Sequence, residues 1–275
     1  MFYSDTLRTV GEVAAKKAAF LRENPVGYFV SAMMAGAYVG VGVFLVFIIG
    51  APLAKADSPW LKTIMGASFA VALSLVVFAG AELFTGNNLV MAVGWWRRKS
   101  SFAQLWAIWG CSWLGNLAGA ILLAALLYYA GVLNTADGSA LVQVMAAKKM
   151  HLTITELLIR GALCNWLVCL AVWCCYRMQS EAAKLFMIFW CLYAFVASGF
   201  EHSVANMTLL SLALFQHHLS TVSWAGMGYN LLWVSIGNAI GGAVFVGAAY
   251  WAGGHLARRE MAKQAAPVAK ETAGV

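Results

Sequence analysis

The sequence predicts an all-α integral membrane protein with six transmembrane helices that form an inverted 3+3 repeat. Of its 275 residues, 62% are hydrophobic and only 11% are charged, whereas soluble domains carry roughly 25% charged residues and about half apolar ones. A spanning helix needs about 20 apolar residues. The chain has long runs without Asp, Glu, Lys or Arg, at 26–54, 63–81, 100–136 and 203–257. Two polar motifs interrupt otherwise apolar spans, and matching sequences follow both motifs.

The N-terminal residues 1–25 predict a cytoplasmic amphipathic helix, because they mix charged and apolar side chains without the continuous apolar core of a signal peptide. The helix is expected over 4–22, with "SDT" placed to cap its start and "NP" at 24–25 placed to stop it. It either closes the cytoplasmic mouth of a channel or lies on the lipid surface.

A six-span channel domain is expected over 26–255, with one repeat at about 26–132 and the other at about 153–252, followed by a disordered cytoplasmic tail at 256–275. The spans are expected at about 26–50, 61–97, 103–132, 153–177, 183–215 and 223–252.

The basic residues predict the orientation of the chain in the bilayer. They lie in the N-terminal segment, in "WWRRKS" at 95–100, at Arg177 and Lys184, and in the tail, and these places alternate with nearly charge-free loops. This is the positive-inside pattern and puts both termini in the cytoplasm. A nucleic-acid-binding protein would cluster its basic residues on one face of a folded domain, so the lipid bilayer is the expected partner and nucleic acid is not.

Spans two and five are broken by polar sequences at their middles. These are "AGAELFTGNN" at 79–88 and "SGFEHSVANM" at 198–207. In addition, "LGNLAGA" at 114–120 in span three matches "IGNAIGG" at 236–242 in span six. Each half therefore has a plain span, a broken span and a span with G-N-x-x-G. Since each half has an odd number of spans, the second half enters the membrane upside down, as in transporters whose site lies at the midplane.

Small residues on three spans predict close helix packing. G-x-x-x-G pairs let helix backbones approach one another in lipid, and they occur at Gly36/Gly40, Gly115/Gly119 and Gly237/Gly241.

The breaks predict a central conduit, because free backbone groups are tolerated at membrane depth only beside protein or a watery cavity. Each break begins a half-helix whose positive end favours an anion, although the opposing half-helices end there too. Thr85 and Ser203 are placed to cap these starts.

Three ionisable residues lie at the breaks: Glu82, Glu201 and His202. The glutamates occupy corresponding positions and are expected to accept N–H bonds from the loops as structural clamps, with Ser203 and Asn206 in the same structural role; direct participation in transport is the alternative. His202 has no counterpart in the first half. An imidazole can hydrogen-bond a small anion and share a proton with it, or it can merely satisfy a buried neighbour.

Other candidate residues each have a structural alternative. Asn165, deep in span four, can fix the His202 tautomer or join two helices. Lys149, in the loop before span four, can concentrate anions or simply be solvated. Glu156 and Arg160 are spaced to form an ion pair. Apolar side chains near the breaks either pack in the core or form rings that exclude hydrated ions; they are Phe69, Leu73, Phe84 and Phe195.

The six cysteines lie mostly in apolar segments without a C-x-x-C pair or a histidine at ligand spacing, which predicts packing rather than metal binding. No metal or cofactor is expected. An intramembrane enzyme would need a nucleophile and base or a metal, and a membrane anchor would need no polar breaks, so neither class is favoured.

Several motifs in order resemble the formate/nitrite transporter family over residues 5–255. They are "AELFTGNNL", "GALCNWLVCLAVW", "SGFEHSVANM" and "GNAIGGAVFVGAAYW". Within the family, "SAMMAGAYVGVGV" and "ASGFEHSVANMTL" look closer to the NirC-type nitrite branch than to the formate branch. A basic residue at Arg160 also departs from the formate-type pattern.

The resemblance implies an aquaporin-like fold in a bacterial inner membrane, assembled as a pentamer with a pore in each subunit. It implies that His202 is the central pore histidine with Thr85 and Asn165 as its hydrogen-bond neighbours, and that Lys149 is the vestibular lysine. By the same comparison, Leu73 and Phe84 line one constriction, and Phe69 and Phe195 line the other side of the path. The expected substrate is nitrite, passed by a pH-sensitive channel or proton-coupled pore; formate and hydrosulfide are the alternatives.

Overall fold

The computed structural model describes residues 3–217 and 219–254, and all regular secondary structure in these ranges is helical. The helices are α1 (Ser4–Glu23), α2 (Pro25–Lys55), α3 (Leu61–Ser68), α4 (Val71–Phe78), α5 (Phe84–Trp96), α6 (Phe102–Ala130), α7 (Ala136–Met150), α8 (Ile154–Arg177), α9 (Glu181–Ala197), α10 (Ser203–Phe215) and α11 (Trp224–Ile240), which continues as a π-helix over Gly241–Ala248. The predicted tail at 256–275 lies outside the described residues.

Five helical stretches within the described ranges are long and apolar enough to cross a membrane. They are Pro25–Lys55, Leu61–Phe78, Phe102–Ala130, Ile154–Arg177 and Trp224–Gly254. The remaining predicted span corresponds to α9 and α10, which have 17 and 13 residues, each fewer than the about 20 that a crossing takes. The all-helical membrane class is therefore confirmed, while the count of six spans and the inverted repeat stay predictions.

Both predicted interruptions occur where the polar motifs lie. Helix α4 ends at Phe78 and α5 begins at Phe84, whereas α9 ends at Ala197 and α10 begins at Ser203. Gly80 (φ 76°) and Gly199 (φ 72°) occupy corresponding positions in the two breaks. This left-handed backbone conformation is open to glycine at little cost. A glycine in the left-handed conformation thus follows the end of both α4 and α9.

The G-x-x-x-G faces allow backbone contact between helices, as predicted. A side-chain carbon built on Gly36 of α2 would overlap the backbone carbonyl of Asn116 in α6. One built on Gly241 would overlap the backbone carbonyl of Ala162 in α8. These contacts hold α2 against α6 and α8 against the α11 region, so a matching helix pair frames each break.

Helix α1 begins where predicted, but its start lacks the expected side-chain cap: Tyr3 is the N-cap and makes no such hydrogen bond. Asn24 ends α1 and accepts the backbone N–H of Gly27 at 2.9 Å, so it caps the start of α2. The apolar face of α1, with Leu7 and Val10 at 3% and 0% exposure, is buried by protein. The structure therefore has α1 docked on other helices, mainly on α5, and not on lipid through that face. Closure of a channel mouth by α1 stays a prediction.

Two features of the fold were not predicted. Residues 136–150 form helix α7, where the sequence was expected to be a loop. Span two is also interrupted between Ser68 and Val71, ahead of its polar motif. There the Oγ atoms of Ser68 and Ser74 donate to carbonyls four residues earlier, bonds of a kind that often bend helices.

Candidate functional site

The centre of the site is a contact between the two breaks. His202 is the N-cap residue of α10, and its Nδ1 accepts the backbone N–H of Ala205 at 3.1 Å. Its Nε2 lies 3.0 Å from Thr85 Oγ1, in the first turn of α5. Both side chains are buried, with 4% and 0% exposure. Since Nδ1 is an acceptor here, the neutral ring carries its proton on Nε2 and donates it to Thr85 Oγ1.

The expectation that Thr85 and Ser203 cap the half-helices is wrong. A capping side chain belongs to the residue just before the first helical turn, and those positions are held by Leu83 and His202. Thr85 and Ser203 already lie inside the helices. The hydroxyl of Thr85 contacts His202 instead, and the buried hydroxyl of Ser203 has no hydrogen-bond partner within the described part of the chain.

An asparagine of α6 holds the start of α5. Asn116 Oδ1 accepts the backbone N–H of Phe84 at 2.9 Å. Its Nδ2 donates to the backbone carbonyls of Glu82 (2.9 Å) and Ala32 (2.8 Å). Asn116 therefore satisfies backbone groups that the break leaves open, and ties them to α2.

Asn238 does the same at the start of α10. Its Oδ1 accepts the backbone N–H of Ser203 at 2.9 Å, and its Nδ2 donates to the carbonyls of Glu201 (3.0 Å) and Gly161 (2.8 Å). Asn116 and Asn238 were expected only as markers of a repeat. The signal for their role was present, because each is an amide at a matched position in an apolar span.

Lysines, rather than backbone N–H groups, hold the two carboxylates, which corrects the expected form of the clamp. Lys17 of α1 lies 2.6 and 2.5 Å from the two oxygens of Glu82. Lys149 lies 2.8 Å from both oxygens of Glu201. Lys149 belongs to the last turn of α7, so its predicted place in a loop is wrong.

Side-chain amides complete both clamps. Asn87 donates to Glu82 at 3.2 Å and to the hydroxyl of Tyr28 at 3.1 Å. In the second half, Asn206 donates to Glu201 at 2.7 Å and to Asn230 at 2.8 Å. Asn206 thus bonds to the carboxylate of the second break, and its structural role stays a prediction. The two breaks therefore combine the same three groups in the same chain order: lysine, carboxylate and amide.

Asn165 supports Thr85 and, within the described part of the chain, makes no hydrogen bond with His202. Its Nδ2 donates to the backbone carbonyl of Thr85 (3.1 Å), to Asn88 Oδ1 (3.0 Å) and to the carbonyl of Asn238 (2.6 Å). The predicted control of the His202 tautomer by Asn165 is wrong, because Ala205 and Thr85 already occupy both ring nitrogens.

One of the four candidate apolar residues, Phe195, stacks on the imidazole, and a second, Phe69, packs against Phe195. The ring of Phe195 lies over that of His202, with centroids 5.9 Å apart and an interplanar angle of 21°. Phe69 meets Phe195 edge-on at 5.6 Å. Leu73 and Phe84 are buried as well, at 3% and 5% exposure.

A cavity of about 700 Å³ opens on the α1 side of the first break. Leu73, Leu83 and Glu82 are among its lining residues, as are the basic residues Lys16 and Lys184. It connects the Lys17–Glu82 ion pair with the apolar residues that precede α5.

Two further expectations concern side chains away from the breaks. The predicted pair of Arg160 and Glu156 is confirmed, with 2.8 Å between Nη2 and Oε1. All six cysteines are free. Within residues 3–217 and 219–254, no three His, Cys, Asp or Glu side chains are grouped so as to hold a metal ion.

Comparisons with known proteins give one consistent result. A family model described as formate/nitrite transporter matches residues 4–252. The nitrite transporter NirC of Salmonella typhimurium is 45% identical over 249 residues, which cover 90% of this chain and 91% of that protein. The formate channel FocA of Escherichia coli is 34% identical over 254 residues, covering 83% of this chain and 87% of that protein.

Solved structures resemble the whole fold. One described as an FNT family ion channel superposes with a TM-score of 0.86 at 44% sequence identity, covering 91% of this chain and 99% of that one. A pentameric formate channel with formate bound superposes with a TM-score of 0.72 at 28% identity, covering 82% and 95%.

Proposed function

The chain belongs to the formate/nitrite transporter family, and we propose that it conducts nitrite, a small monovalent anion, through a pore that crosses a bacterial inner membrane. The choice of nitrite is supported by the similarity to NirC, which exceeds that to FocA. Formate or hydrosulfide passing through the same pore is the alternative; matching formate channels support formate. Because the family is one of transporters, catalysis of a chemical reaction is not part of the proposal.

The observation that carries the mechanism is the contact of His202 Nε2 with Thr85 Oγ1 between two half-helix starts. An anion that enters an apolar constriction loses hydration that bare hydrocarbon cannot replace. In the neutral tautomer His202 donates to Thr85, which leaves the Thr85 hydroxyl hydrogen available to donate to an anion. The positive ends of α5 and α10 favour the same charge. The anion is therefore compensated at the point where water is removed.

Proton sharing with His202 would require a rearrangement. A protonated imidazole is a donor at both nitrogens, so its Nδ1 would have to release the N–H of Ala205 that it accepts now. Loss of such a cap costs about 1 kcal/mol. A pH-sensitive pore would then alternate between a capped neutral state and an uncapped protonated state. A proton-coupled pore would use the same two states in a cycle.

The remaining site residues have supporting roles. Lys149 attracts the anion from the vestibule on the Glu201 side, and Asn165 fixes the Thr85 backbone. The apolar residues on the two sides of His202 keep hydrated ions from passing; they are Phe69, Leu73, Phe84 and Phe195. Four polar residues maintain the breaks: Glu82, Glu201, Ser203 and Asn206. Ser203 contributes through its backbone N–H, which donates to Asn238 Oδ1.

We further propose the aquaporin-like inverted repeat, with both termini in the cytoplasm, and assembly as a pentamer. The repeat is supported by the equivalent bonds of Asn116 and Asn238 to the two half-helix starts. The pentamer is supported by the solved formate channel that this chain resembles. The cytoplasmic termini follow from the distribution of basic residues.

Flux measurements in proteoliposomes test the proposal. Nitrite, formate and chloride fluxes are measured at several pH values for the wild type, for His202→Phe and for His217→Phe, an exposed control. We expect the wild type to pass nitrite faster than formate and to exclude chloride, and only His202→Phe to lose nitrite flux. Faster formate than nitrite flux would overturn the substrate assignment. Unchanged nitrite flux in His202→Phe would remove His202 from the mechanism.

A further inference from the structure

A buried thiol contacts the centre of the site. Cys169, in α8, has 0% exposure, and its Sγ lies 3.3 Å from the backbone carbonyl oxygen of Thr85 and 3.5 Å from Asn165 Oδ1. Asn165 Nδ2 donates to the same carbonyl of Thr85 at 3.1 Å. Because Asn165 and Cys169 are four residues apart, they lie one above the other on one face of α8. Two side chains of this face therefore contact a single carbonyl of α5.

The position of the Thr85 hydroxyl depends on how the backbone of that residue is held. Thr85 is the second residue of α5, which begins at Phe84, and the N–H groups in the first turn of a helix have no intrahelical partner. Its Oγ1 lies 3.0 Å from His202 Nε2, the contact that joins the two breaks. A shift of the Thr85 backbone would move this hydroxyl away from the imidazole. The side chains bound to the Thr85 carbonyl consequently set the place of its hydroxyl.

Gly242 confines the same thiol and amide from a third helix. A side-chain carbon built on Gly242 would lie 2.8 Å from Cys169 Sγ, from Asn165 Nδ2 and from Asn88 Cβ. Gly242 belongs to the π-helical part of the α11 region, and π-helical turns are frequent at functional sites. The backbone at Gly242 therefore packs directly on the two groups that hold Thr85, and any larger residue there would displace them.

Packing alone does not explain where the thiol lies. A buried cysteine often acts as a small apolar side chain, which describes Cys164 and Cys191, since neither thiol makes a hydrogen bond within residues 3–217 and 219–254. The thiol of Cys169 instead faces two acceptors. Its one proton either holds the Thr85 carbonyl directly or orients the Asn165 amide that holds it.

We propose that Cys169 is a positioning residue for anion passage, because its thiol and Asn165 together hold the Thr85 carbonyl so that the Thr85 hydroxyl faces His202. The inference rests on the proposed function, in which that hydroxyl donates to nitrite at the point where water is removed. Entry of the anion depends on other groups, such as Lys149. Loss of the thiol should therefore slow passage through the centre and leave capture of the anion unchanged.

Nitrite flux into proteoliposomes, measured against nitrite concentration, tests the proposal. We expect Cys169→Ala to lower the maximal flux about two- to fivefold, the effect of a weak S–H donor, without changing the half-saturating concentration. Cys169→Ser keeps a donor and should restore most of the flux. Cys191→Ala is the matched control, because it removes another buried thiol, and should behave as the wild type. A folded Cys169→Ser that loses as much flux as Cys169→Ala would overturn the proposal.

Combination with Thr85→Val shows whether Cys169 acts through the Thr85 hydroxyl. If it does, Cys169→Ala causes no further loss once that hydroxyl is absent, and the double variant has the flux of Thr85→Val. Losses that multiply would mean that Cys169 acts elsewhere, and the inference would be wrong. Wild-type flux in Thr85→Val would instead reject the proposed function of the hydroxyl, and the inference with it.

Infrared spectroscopy examines the thiol bond independently of transport. The difference between the spectra of the wild type and Cys169→Ala isolates the S–H stretching band of Cys169. We expect this band at a lower frequency than the one that Cys191→Ala removes, because hydrogen bonding weakens the S–H bond. Equal frequencies for the two thiols would show that Cys169 donates no hydrogen bond, and would overturn the proposal even if the flux of Cys169→Ala were reduced.

Discussion

Lys17 and Glu82 lie 65 residues apart in sequence, and their side chains form an ion pair with N–O distances of 2.5 and 2.6 Å. Both are largely buried, at 17% and 13% side-chain exposure. Through this pair, α1 is attached to the first helix break, at the edge of the 700 Å³ cavity. The N-terminal helix therefore covers part of one end of the proposed pathway.

Replacement of Lys17 by Gln should loosen α1 and open this cavity. Gln lacks the charge that neutralises Glu82, and removing one partner of a buried pair is strongly destabilising. Cys175 lines the cavity and reports on its accessibility. We expect maleimide to label Cys175 several-fold faster in Lys17→Gln, as measured by peptide mass spectrometry. Arg22→Gln, in the same helix, should leave the rate unchanged because Arg22 is exposed. Equal rates in all three proteins would show that the pair does not hold α1.

Asn116 and Asn238 should be about equally important for stability. Alanine at either position leaves a half-helix N–H and two carbonyls without their amide partner. A buried group left unsatisfied costs about 1–3 kcal/mol. We expect Asn116→Ala and Asn238→Ala to lower the thermal denaturation midpoint in detergent by similar amounts. Asn134→Ala should lower it much less, because the side chain of Asn134 is exposed and water can replace its bonds to Tyr128 and Gln216. A large loss for only one of the two would contradict their equivalence.

Glycine substitutions should divide into two classes. Ala at Gly36 or Gly241 would overlap a backbone carbonyl of the neighbouring helix, so the helices must separate and stability falls, by about 1–3 kcal/mol or more. Ala at Gly110 or Gly228 meets nothing within 4 Å and gains up to about 1 kcal/mol of helix propensity. Denaturation midpoints measure both effects. A neutral Gly36→Ala would mean that α2 and α6 can shift apart freely.

The sequence predicted the features that depend on local composition. Polar residues inside apolar runs located both breaks, and glycine spacing identified the faces on which helices approach. Helix α7 was missed because its residues, "ADGSALVQVMAAKKM", are too polar to be a span and carry no strong helix period. The interruption after Ser68 was missed because no proline or charge marks it, and the nearby Gly66 is one of many glycines in the apolar spans.

Partners distant in sequence were the least predictable part of the site. Glu82 and Glu201 were identified as clamps, but no local pattern indicates that Lys17 and Lys149 would bind them. The expected bond of Asn165 to the far nitrogen of His202 was wrong, since the half-helix start supplies the N–H that occupies His202 Nδ1. Tertiary packing decides such choices between several possible hydrogen-bond partners.

Lys149 should assist anion capture only through its charge. Lys149→Gln is expected to reduce nitrite flux at low nitrite concentration and low salt. The reduction should be smaller at about 0.1 M salt, because charges are then screened beyond about 10 Å. The substitution also leaves Glu201 buried without its partner, which costs about 3–5 kcal/mol. The double variant Lys149→Gln/Glu201→Gln separates these effects: stability should recover. If flux recovers with it, Lys149 has only a structural role.

Nitrite flux should depend on the hydroxyl group of Thr85 and not on its methyl group. In the proposed state Nε2–H of His202 donates to Thr85 Oγ1, and the Thr85 hydroxyl donates to the anion. Thr85→Ser keeps both bonds, whereas Thr85→Val preserves the shape and removes them. We expect Ser to retain nitrite flux and Val to reduce it by about tenfold or more, the equivalent of one lost hydrogen bond of about 1.4 kcal/mol.

Stopped-flow flux in proteoliposomes measures the difference, with denaturation midpoints to establish that both variants fold. A folded Thr85→Val that passes nitrite as fast as the wild type would show that the anion crosses the centre without this hydroxyl, and that the contact with His202 serves only to join α5 to α10.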